Sequence, residues 1–557
     1  MTFNIEEIGE LKILTCTTDD GSIFQLGSRY HKDKYQKIWA QNYTSSYSHA
    51  VYFVFGFGDG SYIRALLEAA DENAHIIIYE PNSELIPFVT EHFDVSDILG
   101  DKHILLLAPD AVNNLAQQLA GKISLLDFSG IQICKLPNYH HLFKEEYDYF
   151  ANALSTAAQL TLASSNTAKN MSETIVENIL ANFAKLSGSY SIEELTSVIT
   201  PDMPVIIVGA GPSLNASLEY IRANRDKAVI LAVDTAVPSL LKHDITPHFF
   251  ISVDPIKEEF CFEDPRVADI PAIVPIVCRK VICEKRNAPT FFYASSVRFC
   301  DLLEYYYKIS LPTLDAESSV ANHAFAACIF LQTKNVYLIG VDLAFLNGKT
   351  HAVGSSKEND TNNTTSTEIE GVNGEILYTD PQMHMYRELL EERIRLHPEM
   401  EVTNLSQTGA KIHGTKHSTI REMYETQKHT AINLDFSNIK PFTFDKKVIM
   451  SDLINKQTDF NNKLHTVLSK VKNNASFLND KEALPIIELC DNLVSFILGT
   501  AFMELIHIKS LGNTMPLLMK LRENCDTSLR ISRYADYLSE IQKTCNEIIQ
   551  KEKELLE

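Results

Sequence analysis

Short apolar runs alternate with helical patterns over the first 150 residues of the chain. VYFVFGFGDGSYIRALLEAA (51–70) predicts an apolar strand, a glycine-rich turn and a helix. HIIIYEPN (75–82) predicts a second strand that ends at the acid Glu80. Further strand candidates are HILLLAPD (103–110) and ISLLDFSGIQICKLP (123–137). Residues 1–150 therefore predict an N-terminal Rossmann-like domain.

The glycine-rich turn of this domain, GFGDG at 56–60, allows two interpretations. An acid about 20 residues after such a turn, here Glu80, is typical of a site for a nucleotide or for the ribose of S-adenosylmethionine. The same turn also serves simply to pack a strand against a helix. The residues of this domain leave both interpretations open.

The pattern is helical over residues 151–200, which predict a connector made of a long helix pair. Pro201 and Pro204 mark the boundary that follows. Residues 201–430 then return to strands and helices, with apolar runs at VIIVGA, AVILAVD, HFFISVD, AIVPIVC and NVYLIGVD. Such runs between helical patterns predict a second, central α/β domain with a mainly parallel sheet buried on both faces. Residues 354–375 are polar and predict a surface loop.

Residues 431–557 predict an all-α C-terminal domain. Three amphipathic helices fit the pattern, at 449–475, 483–508 and 515–550. They suit an interaction surface that makes a homo-oligomer, or packing that only completes the fold. The longest apolar stretch, LVSFILGTAFM at 493–503, predicts a buried helix and falls short of the ~18–20 residues that span a membrane. The predicted fold class is α/β, with two Rossmann-like units followed by an all-α bundle.

Charge and cysteine usage restrict the classes of binding partner and the cellular compartment that we expect. The formal net charge of −22 disfavours nucleic acid or an anionic membrane as the main partner. Any phosphate site must therefore be built locally. The first ten residues, MTFNIEEIGE, lack the basic and apolar regions of a signal peptide. The ten cysteines are scattered, and Cys278 with Cys283 has poor spacing for a metal, so we expect reduced thiols in the cytoplasm and no metal site.

The first strand of the central domain leads into the turn VGAGPSL. Gly209 and Gly211 allow a tight turn that presents N–H groups and a helix N-terminus to a phosphate. Pro212 and Ser213, followed by Leu214, depart from the dinucleotide pattern, which needs a third small residue to seat the helix. The turn therefore indicates a nucleotide phosphate more than NAD.

Polar residues also follow the other strands of this domain. Ligands of open α/β sheets lie outside the carboxyl ends of the strands, so these residues are expected to converge on one crevice. A single aspartate at a strand end is more often a cap or turn former. The candidates are Asp234 and Thr235, Asp254, Ser318 and Ser319 with Asn322, Gly340 and Asp342, and His351 in the loop beyond.

Several motifs together resemble one family. GAGPSL, AVDTA, FISVDP, SSVA and IGVDLAF with GKTHAVG look like the motility-associated factor (Maf) glycosyltransferases, which modify bacterial flagellin with nonulosonic acids. NLSQTGAKIHGT (404–415) is similar to a recurring stretch of that family. The resemblance spans at least residues 160–420, and the domain order fits the rest.

The central domain also resembles bacterial sialyltransferases that use a CMP-activated donor. That resemblance implies that the 209–214 turn faces the nucleotide, that Asp234 lies near the cytidine or phosphate, and that Ser318 and Ser319 meet the donor sugar. Ala210 and Asp234 stand where those enzymes have asparagine, and Ala316-Glu317 replaces an arginine. The family implies no cofactor, only the CMP-linked donor as substrate.

The implied reaction is an inverting, metal-independent transfer of a nonulosonic acid to a serine or threonine of flagellin. A base must take the hydroxyl proton, and the leaving phosphate must be stabilised. His351 is the first candidate for either role, His384 is the alternative base, and Asp342 completes the catalytic candidates.

Two other functions stay open at this point. The central domain also resembles archaeal hydroxymethylpterin diphosphokinases, although the long flanks of this chain have no counterpart there. A non-catalytic scaffold that holds flagellin is the third possibility. The resemblance places the protein in the bacterial cytoplasm.

Overall fold

The computed structural model describes residues 1–9, 11–27, 34–45, 50–71, 74–107, 109, 115–120, 130–295, 297–314, 319–346, 367–426, 431–474, 480–521 and 526–556. The chain forms two compact units. Unit 1 contains residues 1–170, 461–495 and 510–544, and unit 2 contains residues 171–460, 496–509 and 545–557. The predicted division at residues 150, 200 and 430 stays a prediction.

Unit 1 contains an antiparallel sheet and a four-stranded parallel sheet. The antiparallel sheet has the order β1-β2-β3, and the parallel sheet has the order β6-β5-β4-β7. Every residue of the strand VYFVF is buried, as expected for a strand covered on both faces. The strands are β1 (Thr2–Ile8), β2 (Leu11–Thr17), β3 (Ile23–Gln25), β4 (Val51–Phe55), β5 (His75–Tyr79), β6 (Ile104–Leu107) and β7 (Ile131–Lys135).

The helices that precede the connector are short. They are α1 (Lys34–Gln41), α2 (Ser61–Ala69), α3 (Leu85–His92), α4 (Ser96–Leu99), α5 (Leu115–Ala120) and α6 (Tyr139–Leu142).

The connector is one helix, and the predicted helix pair is wrong. Helix α7 (Lys144–Leu186) runs for 43 residues without a break. Its sequence contains no glycine or proline and is rich in alanine, so nothing in it interrupts the backbone hydrogen bonds. Gly188, with φ 92°, follows its end in the left-handed conformation that glycine adopts readily.

Unit 2 is built on a nine-stranded sheet of order β18-β17-β14-β9-β10-β11-β12-β13-β8, in which each of these pairings is parallel. All five predicted strands are present. The strands are β8 (Tyr190–Ser191), β9 (Val205–Val208), β10 (Val229–Val233), β11 (Phe249–Ile251), β12 (Ala272–Pro275), β13 (Thr290–Tyr293), β14 (Asn335–Ile339), β17 (Glu401–Asn404) and β18 (Lys416–His417).

An antiparallel hairpin, β15 (Thr367–Glu370) and β16 (Ile376–Thr379), lies between β14 and β17 in the chain. Strand β15 falls within 354–375, so the prediction of a loop is wrong for that part of the segment. The helices of this region are α8 (Leu218–Asn224), α9 (Val237–Lys242), α10 (Val281–Glu284), α11 (Arg298–Tyr307), α12 (Val320–Phe330), α13 (Pro381–Leu396) and α14 (Ile420–Thr426).

The C-terminal region is helical, but it breaks where the sequence predicted continuity. The described helices are α15 (Lys446–Asn474), α16 (Asp480–Gly499), α17 (Glu504–Leu521) and α18 (Thr527–Glu554). The apolar stretch 493–503 is not one helix, because α16 ends at Gly499 and Thr500 is extended, with φ −108° and ψ 128°. Within the described residues, no single helix is both long and apolar enough to cross a membrane, although one bent pair (483–498 with 501–518) passes by length and composition. The predicted α/β class with parallel sheets and a helical C-terminal region is confirmed.

Candidate functional site

The strand order of the nine-stranded sheet locates its switch point. From β9 the chain proceeds through β10 and β11 on one side, and it later returns to β14 on the other side of β9. Ligands of open parallel sheets bind outside the carboxyl ends of strands at such a point. We call the residues that follow these four strands the carboxyl edge, which consists of Gly209–Leu214, Asp234–Thr235, Ser252–Lys257 and Gly340–Asp342.

The glycines of the carboxyl edge bring two loops into backbone contact. A Cβ atom on Gly209 would stand less than 3.0 Å from the carbonyl of Gly340, and the converse contact is equally close. Gly340 has φ 69°. These positions therefore need glycine because the ends of β9 and β14 touch there.

The amides of the turn are used within the protein. The N–H of Gly209 donates to the Ile339 carbonyl and that of Gly211 to the Gly340 carbonyl, both at 2.7 Å. The N–H of Ser213 donates to Asp342 Oδ2 at 2.8 Å. The N–H groups of Gly209, Gly211 and Ser213 are therefore engaged within the protein, whereas the Ala210 N–H has no acceptor among the described residues. The contact of this turn with a nucleotide phosphate stays a prediction.

The turn also leads into a different helix from the expected one. Pro212–Ser217 form a 3-10 helix with Pro212 at its start, and the α-helix begins only at Leu218. Leu214 is fully buried in this segment. The six-residue 3-10 helix does not provide the α-helical N-terminus that the sequence predicted for a phosphate.

Asp342, predicted as a catalytic residue, is buried at the switch point. Its carboxylate accepts hydrogen bonds from the Ser213 amide and from the Ser213 hydroxyl. Burial raises the pKa of Asp342 to about 6, against the opposing effect of the Ser213 hydrogen bonds. Gly409, with φ 116°, packs so closely that a Cβ there would lie 2.9 Å from Asp342 Cα. The carboxylate therefore joins the loops after β9 and β14, and its catalytic role stays a prediction.

Asp234 lies at the centre of a second buried network. Its Oδ1 accepts from the Thr235 N–H at 2.6 Å and from the Thr235 hydroxyl at 3.0 Å, and its Oδ2 accepts from the Ser252 hydroxyl at 2.6 Å. Lys257 Nζ lies 2.9 Å from Asp234 Oδ1 and donates to Thr235 Oγ1 at 2.6 Å. The side chain of Asp234 is fully buried and that of Lys257 is 8% exposed.

Lys257 carries its positive charge in this buried place. Burial disfavours the charged form, but the attraction and hydrogen bond of Asp234, together with the smaller attractions of Cys261 and Asp254, outweigh that effect, so the pKa of Lys257 is raised. The sequence analysis missed both Lys257 and Ser252. A lysine shortly after the strand-terminal motif ISVDP was the available signal, but only the fold shows that its side chain turns back to Asp234.

The remaining predicted contacts are distributed around the edge. Asp254 is half-buried and accepts from the Ile256 N–H at 2.9 Å, as an aspartate in a turn does. Ser319 caps helix α12, because its hydroxyl accepts from the Asn322 N–H at 3.1 Å. The buried Asn322 side chain donates to the Tyr386 carbonyl at 3.1 Å, which joins α12 to α13. Ser318 lies outside the described residues.

Of the two histidine candidates, His351 lies outside the described residues. His384 is in the first turns of α13, with its side chain 40% exposed and its Nε2 3.3 Å from Glu388 Oε1. Its Nδ1 is buried and has no hydrogen-bond partner among the described residues. A proton on Nε2, directed at Glu388, leaves Nδ1 as an acceptor.

The glycine turn of unit 1 is filled by a tyrosine. A Cβ on Gly56 would overlap the ring of Tyr139, whose hydroxyl accepts from the Gly58 N–H at 2.8 Å and donates to Glu80 Oε2 at 3.0 Å. Glu80 also accepts from the Phe57 N–H at 2.8 Å. The groups that would hold a ribose or phosphate are thus engaged internally, which favours the packing interpretation of this turn.

Among the described side chains, no group of three His, Cys, Asp or Glu residues is placed to hold a metal ion. Cys278 and Cys283 are buried thiols with their sulfur atoms 3.9 Å apart. The independence from metals and cofactors stays a prediction.

Comparison with known proteins adds a fold and a family signature. A MAf glycosyltransferase from Magnetospirillum magneticum AMB-1 superposes with a TM-score of 0.59 at 16% identity, over 98% of this chain and 92% of that one. The chain has the fold of a Maf glycosyltransferase. Residues 177–348, which contain the whole carboxyl edge, also match the 6-hydroxymethylpterin diphosphokinase MptE-like family.

Two sequence relatives match smaller parts of this chain. Both are uncharacterised proteins of Treponema pallidum (strain Nichols). One is 26% identical over 169 residues, which is 29% of this chain and 76% of the relative. The other is 28% identical over 187 residues, which is 32% of each chain.

Proposed function

We propose that this protein is a glycosyltransferase that moves a nonulosonic acid of the pseudaminic or legionaminic type from its CMP-activated donor to serine or threonine hydroxyls of flagellin. The observation that carries the proposal is the likeness to the Maf glycosyltransferase, because it extends over 98% of the chain. The MptE-like match, by contrast, is confined to residues 177–348. The bacterial cytoplasm is the proposed location.

The donor nucleotide is assigned to the carboxyl edge, since this edge lies at the switch point of the sheet. In the proposed reaction the acceptor oxygen forms a bond to the anomeric carbon as the bond from that carbon to the phosphate oxygen breaks. CMP leaves with the electron pair of the broken bond, and a histidine takes the hydroxyl proton.

His384 is the candidate base whose surroundings the structure describes. With Glu388 next to Nε2, its unpartnered Nδ1 can accept a proton, but this atom is buried, so the acceptor hydroxyl must displace its neighbours to reach it. His351 remains the other candidate. If His384 is the base, His384→Ala abolishes transfer to flagellin, measured by intact mass, while the affinity for CMP is kept. Full transfer by this variant would assign the role elsewhere, and His351→Ala then tests the alternative.

A diphosphokinase is the second candidate, because the MptE-like family match covers the carboxyl edge. Such an enzyme would bind ATP with magnesium and a pterin. A transferase of the proposed kind would bind cytidine nucleotides without a metal.

Thermal stability with separate ligands distinguishes these candidates. A ligand that binds only the folded protein at ~100 times its Kd adds about 2.7 kcal/mol of stability. Stabilisation by CMP and CTP, but not by ATP with magnesium, is the result expected of the transferase. Stabilisation by ATP with magnesium and a pterin alone would favour the kinase. No stabilisation by any nucleotide would contradict both and leave a flagellin-holding scaffold.

A further inference from the structure

The glycine turn offers an anionic ligand few free donors. The amides of Gly209, Gly211 and Ser213 all donate to acceptors within the protein, which leaves the Ala210 N–H without an acceptor among the described residues. The chain as a whole carries a net charge of −22, so its long-range field repels phosphate. A local cation at this edge therefore strengthens the binding of a phosphate.

Lys257 supplies that cation. Its ammonium group lies at the end of β10, the strand next to β9 in the sheet, and is held there by Asp234 and Thr235. Because burial removes most water from the lysine, its attraction for an anion is screened less than that of a surface lysine.

One N–H of the Lys257 ammonium group has no acceptor among the described residues. An ammonium carries three N–H bonds, and among the described residues Asp234 Oδ1 and Thr235 Oγ1 are its acceptors. Asp234 in turn receives the Thr235 amide, the Thr235 hydroxyl, the Ser252 hydroxyl and Lys257. Oδ1 of Asp234 therefore accepts three hydrogen bonds and Oδ2 accepts one. The carboxylate orients the lysine and has little remaining capacity to accept a hydrogen bond from a ligand.

The backbone of Lys257 is also fixed in place. Its N–H donates to the Asp254 carbonyl at 3.4 Å, and its carbonyl accepts from the Arg279 guanidinium. Arg279 follows β12, so the lysine is anchored to loops that follow three neighbouring strands. Such fixed donors bind an anion without having to reorganise first.

We infer that Lys257 donates its third N–H to the phosphate of a nucleotide bound at the carboxyl edge, with Asp234 and Thr235 as the residues that position it. This inference deepens the proposed function and rests on it, since the nucleotide is the one proposed there. It adds a charged donor to the phosphate-binding groups predicted in the glycine turn.

The test compares CMP with cytidine, which lacks the phosphate. Removing Lys257 alone would leave Asp234 as an unpaired buried charge and endanger folding. The variant is therefore the double substitution Asp234→Asn with Lys257→Met, which removes both charges of the pair. Calorimetric titration of the wild type is expected to show tighter binding of CMP than of cytidine, and the double variant is expected to lose at least ten-fold of that preference.

The matched control lies at the other end of the same sheet. Lys334 and Asp202 form an exposed ion pair, 2.7 Å apart, before β14 and β9. Asp202→Asn with Lys334→Met removes the same charges and is expected to leave the CMP preference unchanged. An equal loss in both double variants would mean that the effect is not specific to Lys257, and it would overturn the inference.

Each outcome separates the two proposals. A wild type that binds neither ligand overturns the proposed function, and this inference with it. If the wild type prefers CMP and the Asp234–Lys257 double variant shows the same preference, the inference is overturned but the proposed function is not. If that variant does not fold, Asp234→Asn with Lys257→Gln decides, because the two amides keep a hydrogen bond between the two positions and carry no charge. A loss of the CMP preference in this variant supports the inference, and an unaltered preference contradicts it.

Discussion

Replacing Glu80 by glutamine is expected to remove a pH dependence from the stability of unit 1. The carboxyl group of Glu80 is completely buried beneath the glycine turn. It accepts from the Phe57 N–H at 2.8 Å, from the Asn82 N–H at 3.1 Å and from the Tyr139 hydroxyl at 3.0 Å. Burial outweighs these bonds and raises the pKa of Glu80 from 4.5 to about 7.

The sign and size follow from proton linkage. Between pH 4.5 and about 7 the folded protein keeps the Glu80 proton that the unfolded chain has released. The contribution to stability is therefore complete below pH 4.5 and is lost as the pH rises through 7, at about 1.4 kcal/mol per pH unit. The pKa difference of about 2.5 corresponds to ~3 kcal/mol over the whole window.

Glutamine has no proton to exchange, but it introduces a different cost. Its NH2 group would face the Asn82 N–H, so one hydrogen bond is lost, which costs about 1–3 kcal/mol at every pH. The variant is thus expected to be less stable than wild type at pH 4.5. That difference is expected to shrink by ~3 kcal/mol, or to reverse, by pH 8.

The single tryptophan of the chain makes this measurable. Trp39 is buried in the core of unit 1, so its fluorescence during urea unfolding reports that unit. The unfolding free energies of wild type and Glu80→Gln are compared at intervals from pH 4.5 to 8. Glu91→Gln, an exposed carboxyl of the same unit, is the control and should follow the wild type. Parallel curves for wild type and Glu80→Gln would refute the argument.

Three further predictions concern unit 2. Gly340→Ala places a side chain at φ 69° against the Gly209 carbonyl, so heat denaturation should show a loss of at least ~1–2 kcal/mol and weaker CMP binding; wild-type stability would contradict the close contact. Ser319→Ala removes the cap of α12 and should lower stability by about 1 kcal/mol, while Ser319→Asp should not; equal losses in both would argue against capping. Burial raises the pKa of Glu552 to about 8. The stability of the wild type should therefore fall as the pH rises from 4.5 to 8, and that of Glu552→Gln should fall less. Identical pH profiles of the two proteins in denaturant melts would disprove this.

Much of the parallel sheet in unit 2 was predictable from local patterns. The strands β9 and β10, VIIV and VILAV, are buried at every residue, and their unbroken apolar runs are typical of strands covered on both faces. Four strands of this sheet were missed. Strands β8 and β18 have two residues each, which are too few to show a period, and β13 and β17 have only four.

Helix ends were predicted less well than helices. The sequence analysis expected a helix pair in the connector. The segment contains no residue that stops a helix, and it forms one helix of 43 residues, which is longer than usual. At the C-terminus, the apolar stretch 493–503 hid the break at Thr500, since the apolar pattern continues on both sides of it.

The candidate site shows where local reasoning stops. The sequence predicted that polar residues would meet at the carboxyl ends of the strands, because parallel strands with crossovers place their ends at one edge. That a ligand binds there stays a prediction. The sequence did not show that the Gly209 and Gly211 amides are already hydrogen-bonded, because their acceptors come from the end of β14, far along the chain.

Local sequence was therefore sufficient for the α/β class, the five predicted strands of the central sheet and the glycine-rich turns, since apolar periodicity and glycine act through neighbouring residues. The use of the buried polar groups depended on the fold. Ser213 and Asp342 are 129 residues apart in the chain, and Lys257 reaches Asp234 across the ends of two strands. A buried polar group without a hydrogen bond costs free energy, so burial determines which polar groups must pair. Burial exists only once the chain has folded.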